Sequence, residues 1–392
     1  MLPWKRFGAI RIAPHPEALK EFPVSLTCKA AVLHAPRTRL AIETIATADL
    51  APTDVLIRIK AVGLCHTDLE VIDGSLRNPM PISLGHEASG VVEQVGREAR
   101  GVAVGDHVVL SWNPHCGHCF YCDRDLPILC ESYLAQAPLA LQFDGRSRAH
   151  LADGRELKHL MYLGALAEYC IAPAQQAIVV PKELPFEQGC LIGCGVMTGV
   201  GAALNVASIH YGDAVMVIGC GAVGLAAVQG ARMAGAETII AVDLAAGKLD
   251  LARKLGATHA IDATSENVAE VARNLTDGRG ADVVLEAAGN ARAFRLTSEA
   301  VRPGGEVIWL GKTDVTEDVA FRWGSLMQEK RIRRSSYGGA RPIRDFPILA
   351  RAALDGRLNL ADLITARISL EQVNEGFDAL RRGEAIRSVV LF

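Results

Sequence analysis

The sequence lacks any excess of basic charge. Its 392 residues carry 41 lysines and arginines against 44 aspartates and glutamates, a net charge of −3. Such a balance offers no positive stripe to neutralise phosphates, so nucleic acid is excluded as an expected partner. It also lacks a continuously apolar run of the ~18–20 residues that cross a bilayer, so neither a spanning helix nor a membrane partner is expected. Residues 1–26 include Trp4, Lys5, Arg6, Arg11, Pro14, Pro16 and Pro23 and have no apolar centre of the secretory kind. They read as an N-terminal arm. A cytoplasmic location is expected, and a disulfide framework for the ten cysteines is not. Aromatic residues are few, at 5%, but half the chain is hydrophobic and 37 residues are glycine, which suits a packed chain with many tight turns. At about 150 residues per domain, this length predicts two or three domains.

The hydrophobic pattern changes partway along. Residues 30–33, 40–45, 55–62, 91–95 and 107–111 read as strands separated by turn residues, which predicts a β-rich front half. Beyond Gly195, apolar strands at 215–218, 238–242, 283–285 and 307–310 alternate with helical patterns at 223–234, 248–255 and 293–301. That alternation implies βαβ crossovers and a parallel, doubly wound sheet. Residues 388–392 read as a strand pairing with the front sheet, and 135–163 as a long inserted loop. The domains expected are 27–195 with 339–392, and 196–338.

Gly219-Cys220-Gly221-Ala222-Val223-Gly224 follows a strand and opens a helix. In that context the glycines permit a tight turn, an approach of backbone to pyrophosphate, and close helix–strand packing. The N–H groups of the helix N-terminus then face the phosphates. Asp243 ends the strand that follows this helix, where a carboxylate meets a ribose diol and repels a 2′-phosphate. NAD is therefore favoured over NADP. Lys248 could border the same ribose.

Cys116, Cys119, Cys122 and Cys130 are spaced Cys-x2-Cys-x2-Cys-x7-Cys. Four thiolates on a turn-rich segment suit a closed, tetrahedral structural Zn²⁺. Cys65, Gly85-His86-Glu87 and Cys194 are further chemistry-bearing positions, but spacing alone does not join them.

Gly85-His86-Glu87-x2-Gly90-x5-Gly96, the four-cysteine spacing and the Gly motif placed downstream of Cys194 are together similar to the zinc-dependent medium-chain alcohol dehydrogenases. The resemblance runs from about residue 26 to residue 392. It implies a GroES-like β domain, closed by the C-terminal segment, and a Rossmann domain, with the active site in the cleft between them. It implies Cys65, His86 and Cys194 as ligands of a second, catalytic Zn²⁺ with an open fourth position, which acidifies an alcohol before hydride leaves for NAD. Asp68 then orients His86, Glu87 lies behind the metal, and Thr67 starts the proton relay. His66, Thr198, Ala222, Val223 and Arg387 join the cofactor contacts.

Some positions depart from the family pattern. Glu70 stands where many members carry a relay histidine, so it either accepts the proton or leaves it to water. Trp112 matches a substrate-pocket aromatic and favours hydrophobic or aromatic primary alcohols. Leu134 stands where the glutathione-dependent formaldehyde branch would want a basic residue, which disfavours that branch. Lys312 faces either solvent or an acidic substrate group. The long insertion points to a homodimer, with a homotetramer as the alternative. The rival readings are a quinone or enoyl reductase of the same superfamily, and a non-catalytic NAD- and zinc-sensing protein.

Overall fold

The strand Asp54–Gly63 is buried at eight of its ten positions, as a strand in the middle of a sheet must be. It pairs antiparallel with Ala88–Val95, Tyr169–Pro173 and Ser388–Leu391. With Ala177–Val179, His107–Leu110 and Ala366–Ile368 these make a seven-stranded sheet. The apolar C-terminus thus closes the front half, Val389 lying opposite Gly63. A five-stranded sheet built around Thr27–Leu33 and Ala41–Thr47 completes this half. The computed structural model describes residues 26–392. Apart from residue 26, the expected N-terminal arm lies outside the described residues.

The second half is a six-stranded parallel sheet in the order His259–Asp262, Thr238–Asp243, Ala214–Ile218, Ala281–Glu286, Val301–Trp309, Arg331–Arg334. Every residue of Ala214–Ile218 is buried, consistent with helices on both faces. The expected helices appear as Ala222–Ala234, Ala246–Leu255 and Ala291–Ala300. The last stops one position short of its pattern because Val301 already begins the next strand. Strand order reverses at Ala214–Ile218, and the crevice at the carboxyl end of such a strand is where ligands bind in doubly wound sheets. The glycine motif starts there.

Two expectations are corrected. The segment 135–163 is not simply a loop: it begins within the helix Glu131–Gln136, and its strands Ala149–Leu151 and Lys158–His159 form the two edges of the five-stranded sheet. Strands of two or three residues carry too little periodicity to be seen in a sequence. Second, one helical run, Phe186–Val206, is long and apolar enough to cross a membrane by length and composition. It is mostly buried inside the protein, as a core helix is. It also carries the chain past residue 195, so the expected domain boundary falls within a helix.

The insertion holds a buried imidazole. His159 Nε2 accepts the Arg148 backbone N–H at 2.9 Å and lies 3.1 Å from Ser147 Oγ. Burial, with the charges of Arg148, Lys158 and His150, pushes it down from 6.5 to about 3. The folded chain refuses a proton that the unfolded chain accepts below pH 6.5, so stability is lost as pH falls from there towards 3. Between pH 6.5 and about pH 5 the loss from this one group is about 2 kcal/mol. Urea unfolding at the two pH values is expected to show it, and His159→Gln to flatten the slope. An equal slope in the variant would refute the assignment.

Candidate active site

Cys65 caps the N-terminus of the helix His66–Asp73, directly after the central strand of the front sheet. His86 and Glu87 immediately precede the strand Ala88–Val95. Cys194 sits in the helical run Phe186–Val206, within a π-helical turn at Ile192–Val196. Such turns widen a helix locally and recur at functional sites. The ligating atoms of Cys65, His86 and Cys194 all lie within 4.8 Å of one another.

Asp68 is fully buried and organises this group. One carboxylate oxygen accepts the Gly85 backbone N–H at 2.9 Å and lies 3.3 Å from His86 Nδ1; the other accepts the Cys65 N–H at 3.2 Å. Burial opposes a charge on His86, but Asp68 and Cys65 outweigh it and hold the imidazole well above its ordinary range. With Nδ1 turned to Asp68, Nε2 is left buried without a hydrogen-bond partner. A buried polar atom of that kind calls for a partner. The Cys194 thiol, with Arg387 and His86, holds Cys65 well below the thiol range, while Cys194 is pushed up in turn. Two thiolates and an imidazole are a donor set that fits Zn²⁺ and leaves a fourth position open.

Behind the trio lie Glu87 and Arg387, both buried. Glu87 Oε2 is 3.1 Å from Arg387 Nε, close enough to pair but not aligned as a hydrogen bond. Glu87 Oε1 accepts the Gly195 N–H at 3.1 Å, and Arg387 donates to Leu64 O at 3.2 Å. Burial raises Glu87 to about 7 against the lowering effect of Arg387.

The cavity in front of the trio holds about 650 Å³. Cys65, His66, Thr67, Glu70, His86, Trp112, Cys194, Thr198, Lys248, Lys312 and Arg387 line it, together with Gly221, Ala222 and Val223 of the glycine motif. Asp68 and Glu87 stand behind its wall. A separate groove of about 690 Å³, lined by Glu266, Arg295 and Phe321, contains none of the expected site residues.

The glycine motif has the shape a dinucleotide needs. A Cβ on Gly224 would sit 1.7 Å from Gly219 O, whereas one on Gly221 would meet nothing within 4 Å. The first spacing is contact between turn and helix; the second is open room for phosphates. Asp243 Oδ2 accepts the Cys220 N–H at 2.7 Å, and Oδ1 accepts those of Leu244 and Ala245 at 2.8 and 3.0 Å. Its carboxylate is therefore fixed beside the turn.

Cys116, Cys119, Cys122 and Cys130 form the second cluster, again with all ligating atoms within 4.8 Å. Backbone N–H groups of Cys122 and Glu131 lower Cys119 to about 6. Four sulfurs leave no open position, which fits a structural Zn²⁺.

Some features were not anticipated. Tyr337 is buried, donates to Gly193 O at 2.5 Å and packs its ring 4.3 Å from that of Trp112. Nothing in the surrounding sequence marks it. Lys312 is half-exposed at the edge of the cavity, and its Nζ donates to Glu70 of the chain itself at 2.5 Å. Leu134 is half-exposed and lies outside the residues lining the cavity.

Two family models match the chain, the alcohol dehydrogenase GroES-like domain over residues 51–182 and the zinc-binding dehydrogenase over 222–354. An S-(hydroxymethyl)glutathione dehydrogenase of Paracoccus denitrificans is 35% identical over 347 residues, covering 86% of this chain and 92% of its own. An alcohol dehydrogenase zinc-binding domain protein from Burkholderia ambifaria superposes with a TM-score of 0.90 at 34% identity, covering 94% of this chain and 99% of its own. Benzyl alcohol dehydrogenase from Acinetobacter calcoaceticus gives 0.89 at 27% identity, with the same coverage. The β-rich half is GroES-like and the parallel-sheet half Rossmann-like. The chain belongs to the zinc-dependent medium-chain alcohol dehydrogenases, enzymes that work with zinc and NAD.

Proposed function

We propose that this enzyme interconverts hydrophobic or aromatic primary alcohols and their aldehydes, with NAD as hydride partner. The observation that carries the reading is one shared cavity: the Cys65–His86–Cys194 trio, with its unpartnered imidazole nitrogen, opens into the space that Gly221 and Val223 border. Bound there, zinc supplies a Lewis acid for the alcohol oxygen and NAD a hydride acceptor. The chain's own residues do the rest. Asp68 keeps His86 in register. Thr67 offers a hydroxyl on the cavity wall to take the alcohol proton, and Trp112, Met161, Leu310 and Tyr337 present apolar surface to the substrate's body. Cys116, Cys119, Cys122 and Cys130 hold the structural zinc. Asp243 and Lys248 border the adenosine ribose, and Thr198, His66 and Arg387 the rest of the dinucleotide.

A second reading takes S-(hydroxymethyl)glutathione as substrate, the compound named for the Paracoccus relative. Leu134 does not weigh against it, since that side chain lies away from the cavity. Two of the cavity's cations are already paired, Lys312 with Glu70 and Arg381 with Asp73 at 2.7 Å, while Lys248 and Arg334 line it without a carboxylate partner among the described residues. The aromatic wall supports the first reading; relatives named for each substrate are similar to the chain.

Self-association belongs to the same proposal. The six-stranded sheet ends at the edge strand Arg331–Arg334, and the segment leading into it along the chain exposes Val315, Trp323 and Met327. An open edge strand is what a second copy would cover. Ten free cysteines fit a reducing compartment such as the cytoplasm.

Metal analysis with a substrate panel tests the function. We expect two zinc ions per chain and faster NAD reduction with benzyl alcohol than with formaldehyde plus glutathione. The reverse order would establish the second reading. One zinc and no turnover would support the reductase or sensor rivals.

A further inference from the structure

Glu70 and Lys312 face each other across the cleft. Glu70 lies on the helix His66–Asp73 of the front half, and Lys312 follows the strand Val301–Trp309 of the parallel sheet. Lys312 Nζ donates to Glu70 Oε2 at 2.5 Å. Among the described residues, no other ion pair or hydrogen bond joins residues 27–182 to residues 214–334.

The side chains are 49% and 29% exposed. An ion pair so wet contributes about 0–1 kcal/mol, too little to hold two domains together. Its effect is therefore better sought in position than in stability. Thr67 and Glu70 stand at i and i+3 on one helix, hence on one face, and both line the cavity with the trio. The lysine has a firm base. A Cβ on Gly289 would lie 2.4 Å from Lys312 O, and Glu286 accepts the Gly289 N–H at 2.7 Å. The other charged groups near Glu70 on the same cavity wall are His66, Asp73 with its partner Arg381, and Lys248.

We propose that Lys312 is a positioning residue, holding Glu70 in place as the outward proton acceptor for alcohol oxidation. The inference rests on the function proposed above. The alcohol carbon gives its hydride to NAD, and the hydroxyl proton leaves separately. Thr67 passes on its own hydroxyl proton as it takes that of the substrate; Glu70 receives it and releases it to water. The carboxylate is held in place only while Lys312, on the other domain, lies against it, so the path is complete only in a closed cleft.

Steady-state kinetics with benzyl alcohol and NAD test this in Lys312→Met, Lys312→Arg, Glu70→Gln and the double variant Glu70→Gln/Lys312→Met. Lys312→Met is expected to lower kcat about 10- to 100-fold, with KM for NAD within about twofold. Lys312→Arg should recover most of the rate. The double variant should be no slower than Glu70→Gln alone, because the lysine acts through the glutamate. An unchanged kcat in Lys312→Met, a raised KM for NAD as its only effect, or multiplying losses in the double variant would overturn the proposal. If the unmodified enzyme oxidises no alcohol with NAD, the functional reading itself fails; if it does so and Lys312→Met is indifferent, only this inference fails.

Discussion

Cys194→Ser is expected to yield a folded enzyme with one zinc per chain and a turnover more than about a hundredfold lower. The scale follows from the neighbourhood. Loss of a residue that merely orients a ligand costs roughly 10–100-fold in metal affinity or activity; loss of a ligand itself should cost more. A serine hydroxyl does not ionise near neutral pH, so the site keeps one thiolate and one imidazole against a divalent charge. The change is small in volume, and Cys194 lies in a helical run whose other residues are mostly buried, so the fold should persist. Metal content, turnover and the circular dichroism spectrum measured together separate these effects. A variant with both zinc ions and full turnover would remove Cys194 from the site.

Cys119→Ser should act through stability. The lobe around it consists of short helical turns, Cys122–Arg124 and Pro127–Leu129, neither containing a buried residue. Phe120, Leu126 and Leu129 stand exposed at 53%, 44% and 39%. Only a small cluster, Cys130, Tyr133 and Tyr162, packs against the sulfurs, so a metal would supply much of what orders the segment. Structural zinc is worth on the order of 10 kcal/mol in small domains, so even a fraction would exceed the ~1 kcal/mol of an average substitution. We expect loss of one zinc, a lower thermal midpoint and protease cleavage within residues 116–130. Retention of both metals with an unmoved midpoint would show that the four sulfurs hold no structural ion.

These two sites were legible to different degrees. The four cysteines fall between positions 116 and 130, and the glycine motif between 219 and 224, so their chemistry shows in local spacing. The group at positions 65, 86 and 194 does not. Long stretches of other sequence separate Cys65, His86 and Cys194, and only the family resemblance joined them before the fold did. Glu70 and Lys312 come from opposite halves of the chain, and no local pattern signals their pairing. Tyr337 escaped for the same reason. The helix Phe186–Val206 hid its length because Gly189, Gly193, Gly195, Gly199 and Gly201 interrupt its apolar run. Those glycines are packing contacts in the structure and look like breaks in the sequence.

That helix carries a mechanical consequence. A Cβ on Gly199 would fall 2.2 Å from Val223 O, so its backbone lies directly on the helix that follows the phosphate loop. Cys194 is little more than a turn upstream on the same rod. No cushion of side chains separates the sulfur from the seat of the coenzyme, and the two must travel as one beam. The same rod is tied at its other end to the front half, where Gly195 N–H bonds Glu87 and Gly193 lies against Leu110 O, so it clamps the metal trio and the coenzyme seat to one another.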